Sequence, residues 1–343
     1  PAVGAIRWDA WFGEKGTPGA AVERSLRPER WHDRLPTCAT VLSPERVRIA
    51  CDTAAQMAQE IDGAAEAGVG FWAFVAYGDA DPMSLGLRTY LAAPNRQRIG
   101  FAMIMELSRW SDRRMTTRLR QLMQEPGYQR TPDGRPVFFL GFASDALIQG
   151  LGGLEGLGRS LDDFRVDARR AGLANPYIVL LEPDVARAAR LARALSLDAV
   201  SAYTVADGAA RRGSYRDLAR RAERFWSLSA EAGLALVPPA MTGWDRRPRV
   251  DHPVPWEASA ASPPDATERY YARPTPDELR EHLASALRRA SESDAPARMV
   301  LVYAWNEFDE GGWLAPTQGE GTARLAATRA ALGLACPRPA PTR

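Results

Sequence analysis

A (β/α)8, or TIM, barrel is the fold class this sequence predicts, and three observations carry the prediction. Short apolar runs alternate with segments of helical periodicity. The alternation occurs eight times in 343 residues. The apolar runs are continuous, without the every-other-residue pattern of a sheet with one wet face, as expected of parallel strands covered on both sides. A barrel is therefore the first expectation and a doubly wound open sheet the second.

The eight units follow in order. VGAIRW (3–8) is the first strand, and after a Pro-, Gly- and Arg-rich loop the segment 44–68 reads as a long helix stopped by Gly68. VGFWAFVAY (69–77) leads to helix 83–93, RIGFAMIME (98–106) to helix 111–124, and RPVFFLGF (135–142) to helix 159–172. PYIVLLE (176–182) leads to helix 184–196, LDAVSAY (197–203) to helix 214–232, and LALVPPAM (234–241) to helix 276–291. ARMVLVYAW (297–305) and helix 319–333 complete the set, so one barrel is expected over 1–335, with 336–343 a flexible tail. The connections 9–43 and 242–275 are long, and both follow strands, on the face where barrels build active sites.

Composition excludes several function classes. With 44 Lys and Arg against 42 Asp and Glu, no global field recruits nucleic acid or an anionic membrane. The arginines scatter along helical segments such as DARRAG and LARRAER, as solvated faces do. No apolar run approaches the ~20 residues that span a bilayer. The three histidines, His32, His252 and His282, and the three cysteines lack metal-ligand spacing, so neither a metal nor a cofactor is expected. Cys38 and Cys51 can pair, which would leave Cys336 as the odd thiol. The chain begins at Pro1 without a methionine, so a preceding segment is expected. A secreted or periplasmic location is preferred over a cytoplasmic one, and a monomer is the expected state.

In a barrel the C-terminal ends of the strands converge on one mouth. The first three strand ends supply Trp8, Asp9, Trp11, Trp72, Tyr77, Glu106, Arg109 and Trp110. Phe142, Asp145, Glu182, Asp184, Tyr203 and Asp207 follow, then Trp244, Asp245 and Arg246, and finally Trp305, Asn306, Glu307, Asp309, Glu310 and Trp313. Flat aromatic faces pack on the C–H faces of sugar rings, and carboxylates and amides bond to hydroxyls. The expected partner is therefore a carbohydrate. Glycosidic chemistry needs two carboxyl groups, and Glu307 with Glu310 in AWNEFDEGGWLAPT (304–317) is the candidate pair. The glycine-rich GLGGLEGLG (150–158) lacks the spacing of a dinucleotide loop and reads as a flexible loop.

The run Asn306, Glu307, Phe308, Asp309, Glu310, Gly311, with MTGWDRRPR (241–249), MELSRW (105–110) and DGRPVFFL (133–140), resembles the glycoside hydrolase family 99-like superfamily. That group includes endo-α-mannosidases and the WbsX-type domains of polysaccharide biosynthesis clusters. The resemblance implies a metal-independent barrel enzyme acting on α-linked sugars with retention. It implies that Glu307 takes a proton from the substrate's 2-hydroxyl, giving a 1,2-anhydro sugar, and that Glu310 protonates the leaving oxygen and then activates water. It also implies that Glu106 helps hold the reacting sugar. The first strand end, RWDAWFG, and Phe308 depart from the family's pattern, so some sugar contacts differ.

An apolar surround of Trp305, Phe308 and Trp313 is expected to keep a proton on Glu310. Three alternatives remain open at the level of sequence: an enzymic nucleophile with Glu106 and Glu310 as the pair, a glycosyltransferase-like enzyme of polysaccharide assembly, and a non-catalytic glycan-binding barrel.

Overall fold

The computed structural model describes residues 1–206, 210–257, 263–293 and 295–335. Asp207 and the tail with Cys336 lie outside the described residues. The chain runs from β1 (Ala2–Arg7) through α1 (Thr17–Ser25) and the hairpin β2 (Ala39–Ser43) and β3 (Arg46–Ile49) to α2 (Ala54–Ala67). Next come β4 (Phe71–Val75), α3 (Leu85–Ala92), β5 (Gly100–Glu106), α4 (Arg113–Leu122), β6 (Val137–Gly141), α5 (Asp145–Gly150) and α6 (Gly153–Arg170). They are followed by β7 (Tyr177–Leu181), α7 (Val185–Ala194), β8 (Ala199–Ser201), α8 (Tyr215–Glu231), β9 (Pro239–Met241), α9 (Arg247–Asp251) and α10 (Pro276–Ser291). The chain ends with β10 (Met299–Tyr303), a small hairpin of β11 (Asn306–Glu307) and β12 (Gly312–Trp313), and α11 (Ala323–Ala331).

Parallel strands neighbour one another in the order β8-β7-β6-β5-β4-β1-β10-β9. The ring closes where the chain approaches β9: Val200 N donates to Ala235 O and Val237 N to Val200 O, both at 2.9 Å. The architecture is a (β/α)8 barrel, and the open-sheet alternative falls away.

Side chains alternate across the barrel wall because a strand repeats every two residues. Trp72 and Phe74 on β4 meet Tyr90 of α3, with ring centroids 5.9 and 5.5 Å away. Phe71 takes the opposite face and lies against Gly4 of β1, where a Cβ would stand 2.1 Å from its ring. The missing side chain at position 4 is what gives that ring its space.

Two segments differ from the expected elements. The helix expected over 44–68 begins only at Ala54, capped by Thr53, whose hydroxyl accepts from Gln56 N at 3.1 Å. Residues 46–49 alternate exposed and buried, a strand period, and pair with 39–43. A disulfide joins Cys38 to Cys51 across the base of this hairpin. Within GLGGLEGLG, expected as a loop, α6 starts at Gly153 after Gly152 turns the chain at φ +87°. Leu157, Leu161, Phe164 and Ala168 then form its buried stripe, at the four-three-four spacing of a helix face. Among the described residues no helix is long and apolar enough to cross a membrane.

Candidate active site

The two glutamates reach the mouth through the small hairpin after β10. Asn306 pairs with Trp313 and Glu307 with Gly312, so 308–311 form the turn, which Glu310 N closes onto Glu307 O at 3.2 Å. Phe308 turns into the wall against Trp11, 4.8 Å away, and Asp309 is fully buried. Gly311 sits at φ +85°, and a Cβ there would lie 2.4 Å from Asp245 N. That close approach lets Asp245 N donate to Glu310 O at 2.6 Å and anchors the hairpin tip to the chain leaving β9.

Both carboxylates face one guanidinium, that of Arg249 on α9. Arg249 forks onto Asp309, Nε to Oδ2 at 2.8 Å and Nη2 to Oδ1 at 3.0 Å. Its Nη1 donates to Glu310 and, at 2.8 Å, to Glu257. Burial opposes the charge of Arg249, but Asp309, Glu310 and Glu307 outweigh it and hold the guanidinium protonated. Glu310 also accepts from the Tyr303 hydroxyl and has Arg246 Nε at 3.4 Å.

Glu307 is less well matched. Its Oε1 accepts from the Tyr203 hydroxyl at 2.7 Å, while Oε2 is buried without a hydrogen-bond partner. The cation beside Oε2, Arg249 Nη2, is 3.8 Å away. Burial, and after it the charge of Glu310, push the Glu307 carboxyl well above the usual range, against the pull of Arg249 and Tyr203. The expectation that apolar walls surround Glu310 is thus corrected. The hairpin presents Glu310 to Arg249, Arg246 and Tyr303, and leaves the poorly compensated place to Glu307. Burial also raises the Tyr203 and Tyr303 phenols well above their ordinary value, so both remain hydrogen-bond donors.

Around the pair the structure brings together Trp8, Tyr77, Glu106, Tyr203, Trp244 and Arg246 from the expected set. Trp8 Nε1 donates to Tyr77 Oη at 2.8 Å, and Glu106 pairs with Arg109, which lies over the Tyr77 ring at 4.2 Å. Burial, then the charge of Glu106, push the Tyr77 phenol up to about 12. Trp244 is 5.7 Å from Tyr303, and Arg246 lies 5.5 Å over Trp244. Asn306 takes a supporting place, with Oδ1 accepting from Trp8 N at 3.0 Å and Nδ2 donating to Asp9 at 3.2 Å.

The other expected residues are packed into the walls. Trp72 and Trp305 are fully buried together, 5.0 Å apart, with Arg7 over Trp72 and the Trp305 indole donating to Glu60 at 3.0 Å. Trp72, the second residue of β4, turns to α3, and Trp305 follows β10 in the bend before the hairpin, so neither ring reaches the mouth. Trp313 is buried under Arg324, 3.9 Å away, and Trp11 under Phe308. Asp9 is bound by Arg7 at 2.9 Å, and Asp245 by Arg34 and, at 2.7 Å, by Arg247. These two acids hold loops in place.

Sequence reasoning missed Arg249, Tyr303 and Trp256. Tyr303 ends an apolar strand like a core residue, and Arg249 stands in DRRPR (245–249), where Arg246 alone of the arginines follows directly on the strand-end acid. A signal was present at Trp256, a tryptophan in a Pro-rich connection with no apolar periodicity to explain it.

No model of a known sequence family matches the chain, and no curated protein matches it significantly. Solved structures do resemble it. A glycoside hydrolase family 99 endo-α-mannosidase from Bacteroides thetaiotaomicron, in complex with bis-tris-propane, has a TM-score of 0.60 at 14% identity, over 96% of each chain. A second structure of the endo-α-mannosidase from that organism has a TM-score of 0.60 at 13% identity, again over 96% of each chain. At such identity the likeness concerns the fold, and the barrel of this chain is of the kind found in those endo-α-mannosidases.

Proposed function

We propose that the protein is a retaining glycoside hydrolase of α-linked glycans, mannan-like chains or another polysaccharide or oligosaccharide, with Glu307 and Glu310 as its acid/base pair. The observation that carries this reading is the unpartnered, buried Oε2 of Glu307 beside Glu310, at a mouth lined by Trp8, Tyr77, Tyr203 and Trp244. A buried acceptor without a donor is costly, and a sugar hydroxyl would satisfy it. The endo-α-mannosidase fold supports the same substrate class.

In the proposed route Glu310 protonates the departing glycosidic oxygen while Glu307 takes the proton from O2 of the same sugar. O2 closes on C1, giving a 1,2-anhydro sugar. Water, deprotonated by Glu310, then opens the ring at C1, and O2 recovers its proton from Glu307. Two inversions at C1 give retention. The elevated basicity of Glu307 suits it to a sugar hydroxyl, a poor acid. A substrate O2–H donating to Glu307 also favours its ionised form. Glu106, Trp8, Tyr77, Tyr203, Trp244 and Arg246 would hold the sugar.

The test is proton NMR of an α-linked manno-oligosaccharide during hydrolysis. The α-anomer of the new reducing end should appear first. A β-anomer appearing first would overturn the retaining route.

A further inference from the structure

Among the described residues only two Phe, Tyr or Trp rings are largely exposed, Phe142 at 50% and Trp256 at 41%. Both stand at the mouth. Phe142 follows β6, which is four places round the ring from β10 and so directly across the barrel from the glutamate hairpin. Its ring lies 5.3 Å from Tyr203, the residue that donates to Glu307. Trp256 lies on the chain that follows α9 and reaches over to β1, where its ring is 5.6 Å from Trp8. Arg249, which pairs with Glu310, is 5.6 Å from the Trp256 ring and 5.8 Å from that of Trp8. One exposed ring is thus connected to Glu307 and the other to Glu310.

Neither ring is placed where packing alone would put it. Phe142 holds a left-handed backbone, φ +56°, which is unfavourable for a residue with a Cβ and gathers at functional sites when the fold maintains it. Trp256 is held out by a strap. Arg246 and Arg249 both pair with Glu257, and Glu257 N donates to Val254 O at 3.1 Å, with Val254 buried.

We propose that Phe142 and Trp256 are sugar platforms on opposite sides of the carboxylate pair, so that the cleft selects an oligosaccharide that extends in both directions beyond the two sugars joined by the cleaved bond. The inference rests on the glycoside hydrolase reading above and adds two specificity-determining residues to it. Phe142 would stack a sugar on the Glu307 side and Trp256 one on the Glu310 side. The strap from Arg246 to Glu257 would fix the distance between the second platform and the acid.

The experiment uses α-linked manno-oligosaccharides of increasing length with wild type, Phe142→Ala and Trp256→Ala. Both rings are exposed, so the thermal melts of the variants should match wild type. Each variant should lose roughly three- to tenfold in kcat/KM on long chains and little on the disaccharide. Losses that do not depend on chain length, or no loss at all, would overturn the platforms while leaving the hydrolase reading intact. If wild type cleaves nothing, calorimetric titration with the same oligosaccharides decides. Binding that weakens in both variants would support the platforms and sink the hydrolase. Binding that is absent, or indifferent to both changes, would overturn the platforms as well.

Discussion

Tyr203 donates its phenol hydrogen to Oε1 of Glu307 at 2.7 Å, while Oε2 of the same carboxyl is buried with no hydrogen bond. One oxygen is thus fixed by the protein and the other is left for a ligand hydroxyl. The arrangement positions Glu307 without using up its capacity to accept a proton.

Tyr203→Phe removes the hydrogen bond that favours the ionised form of Glu307, so the carboxyl should move further upward. The ascending limb of kcat/KM against pH should shift to higher pH, and kcat should fall roughly ten- to a hundredfold. An unmoved limb would contradict the role given to this bond.

Arg249→Met should destabilise the fold by about 3–5 kcal/mol, because Asp309, fully buried, would lose its forked partner. Arg249→Lys keeps a charge but lacks the planar fork, and should fall between wild type and Arg249→Met. Denaturant unfolding measures both. A loss under about 1 kcal/mol for Arg249→Met would show that the pair is not what holds α9 to the hairpin.

His282 is buried between α10 and the barrel, with Nε2 accepting from Met241 N at 3.1 Å and its ring stacked on Trp226. Burial pushes its pKa down from 6.5 to about 4. Above the unfolded value both states are neutral and stability does not depend on this group. As pH falls from 6.5 toward 4 the unfolded chain binds a proton that the folded one refuses, so stability drops, by about 3 kcal/mol in all. His282→Gln should flatten this part of the stability–pH curve. An equally steep curve in the variant would assign the slope to other groups.

The Cys38–Cys51 bridge closes a loop with a sequence separation of 13, so its removal should cost about 3 kcal/mol. Cys38→Ser with Cys51→Ser should lower the melting temperature and abolish its dependence on reductant. A melt unchanged by the double replacement would show that the hairpin is held by its packing alone.

The barrel was legible because continuous apolar strands and periodic helices repeat along the chain, and Glu307 and Glu310 were legible because two acids follow a strand end. The strap was not. Arg249 meets Asp309 and Glu310 across 60 and 61 residues, and no local pattern reports such a partner. The tryptophans misled for a different reason. Trp72 is the second residue of β4 and turns to α3, whereas Trp8 follows the last residue of β1 and stands at the mouth, and the apolar run 69–77 does not show where its strand begins. The hairpin at 39–49 was hidden because RVRI is too short for its two-residue period to stand out beside the helix that follows.

The most direct measurement is the release of new reducing ends from a panel of α-linked glycans by wild type, Glu307→Gln and Glu310→Gln, with folding of each checked by circular dichroism. A hydrolase built on this pair releases ends in the wild type and loses at least about a thousandfold in either folded variant. Full activity in Glu310→Gln, or no release by wild type from any glycan it binds, would contradict it.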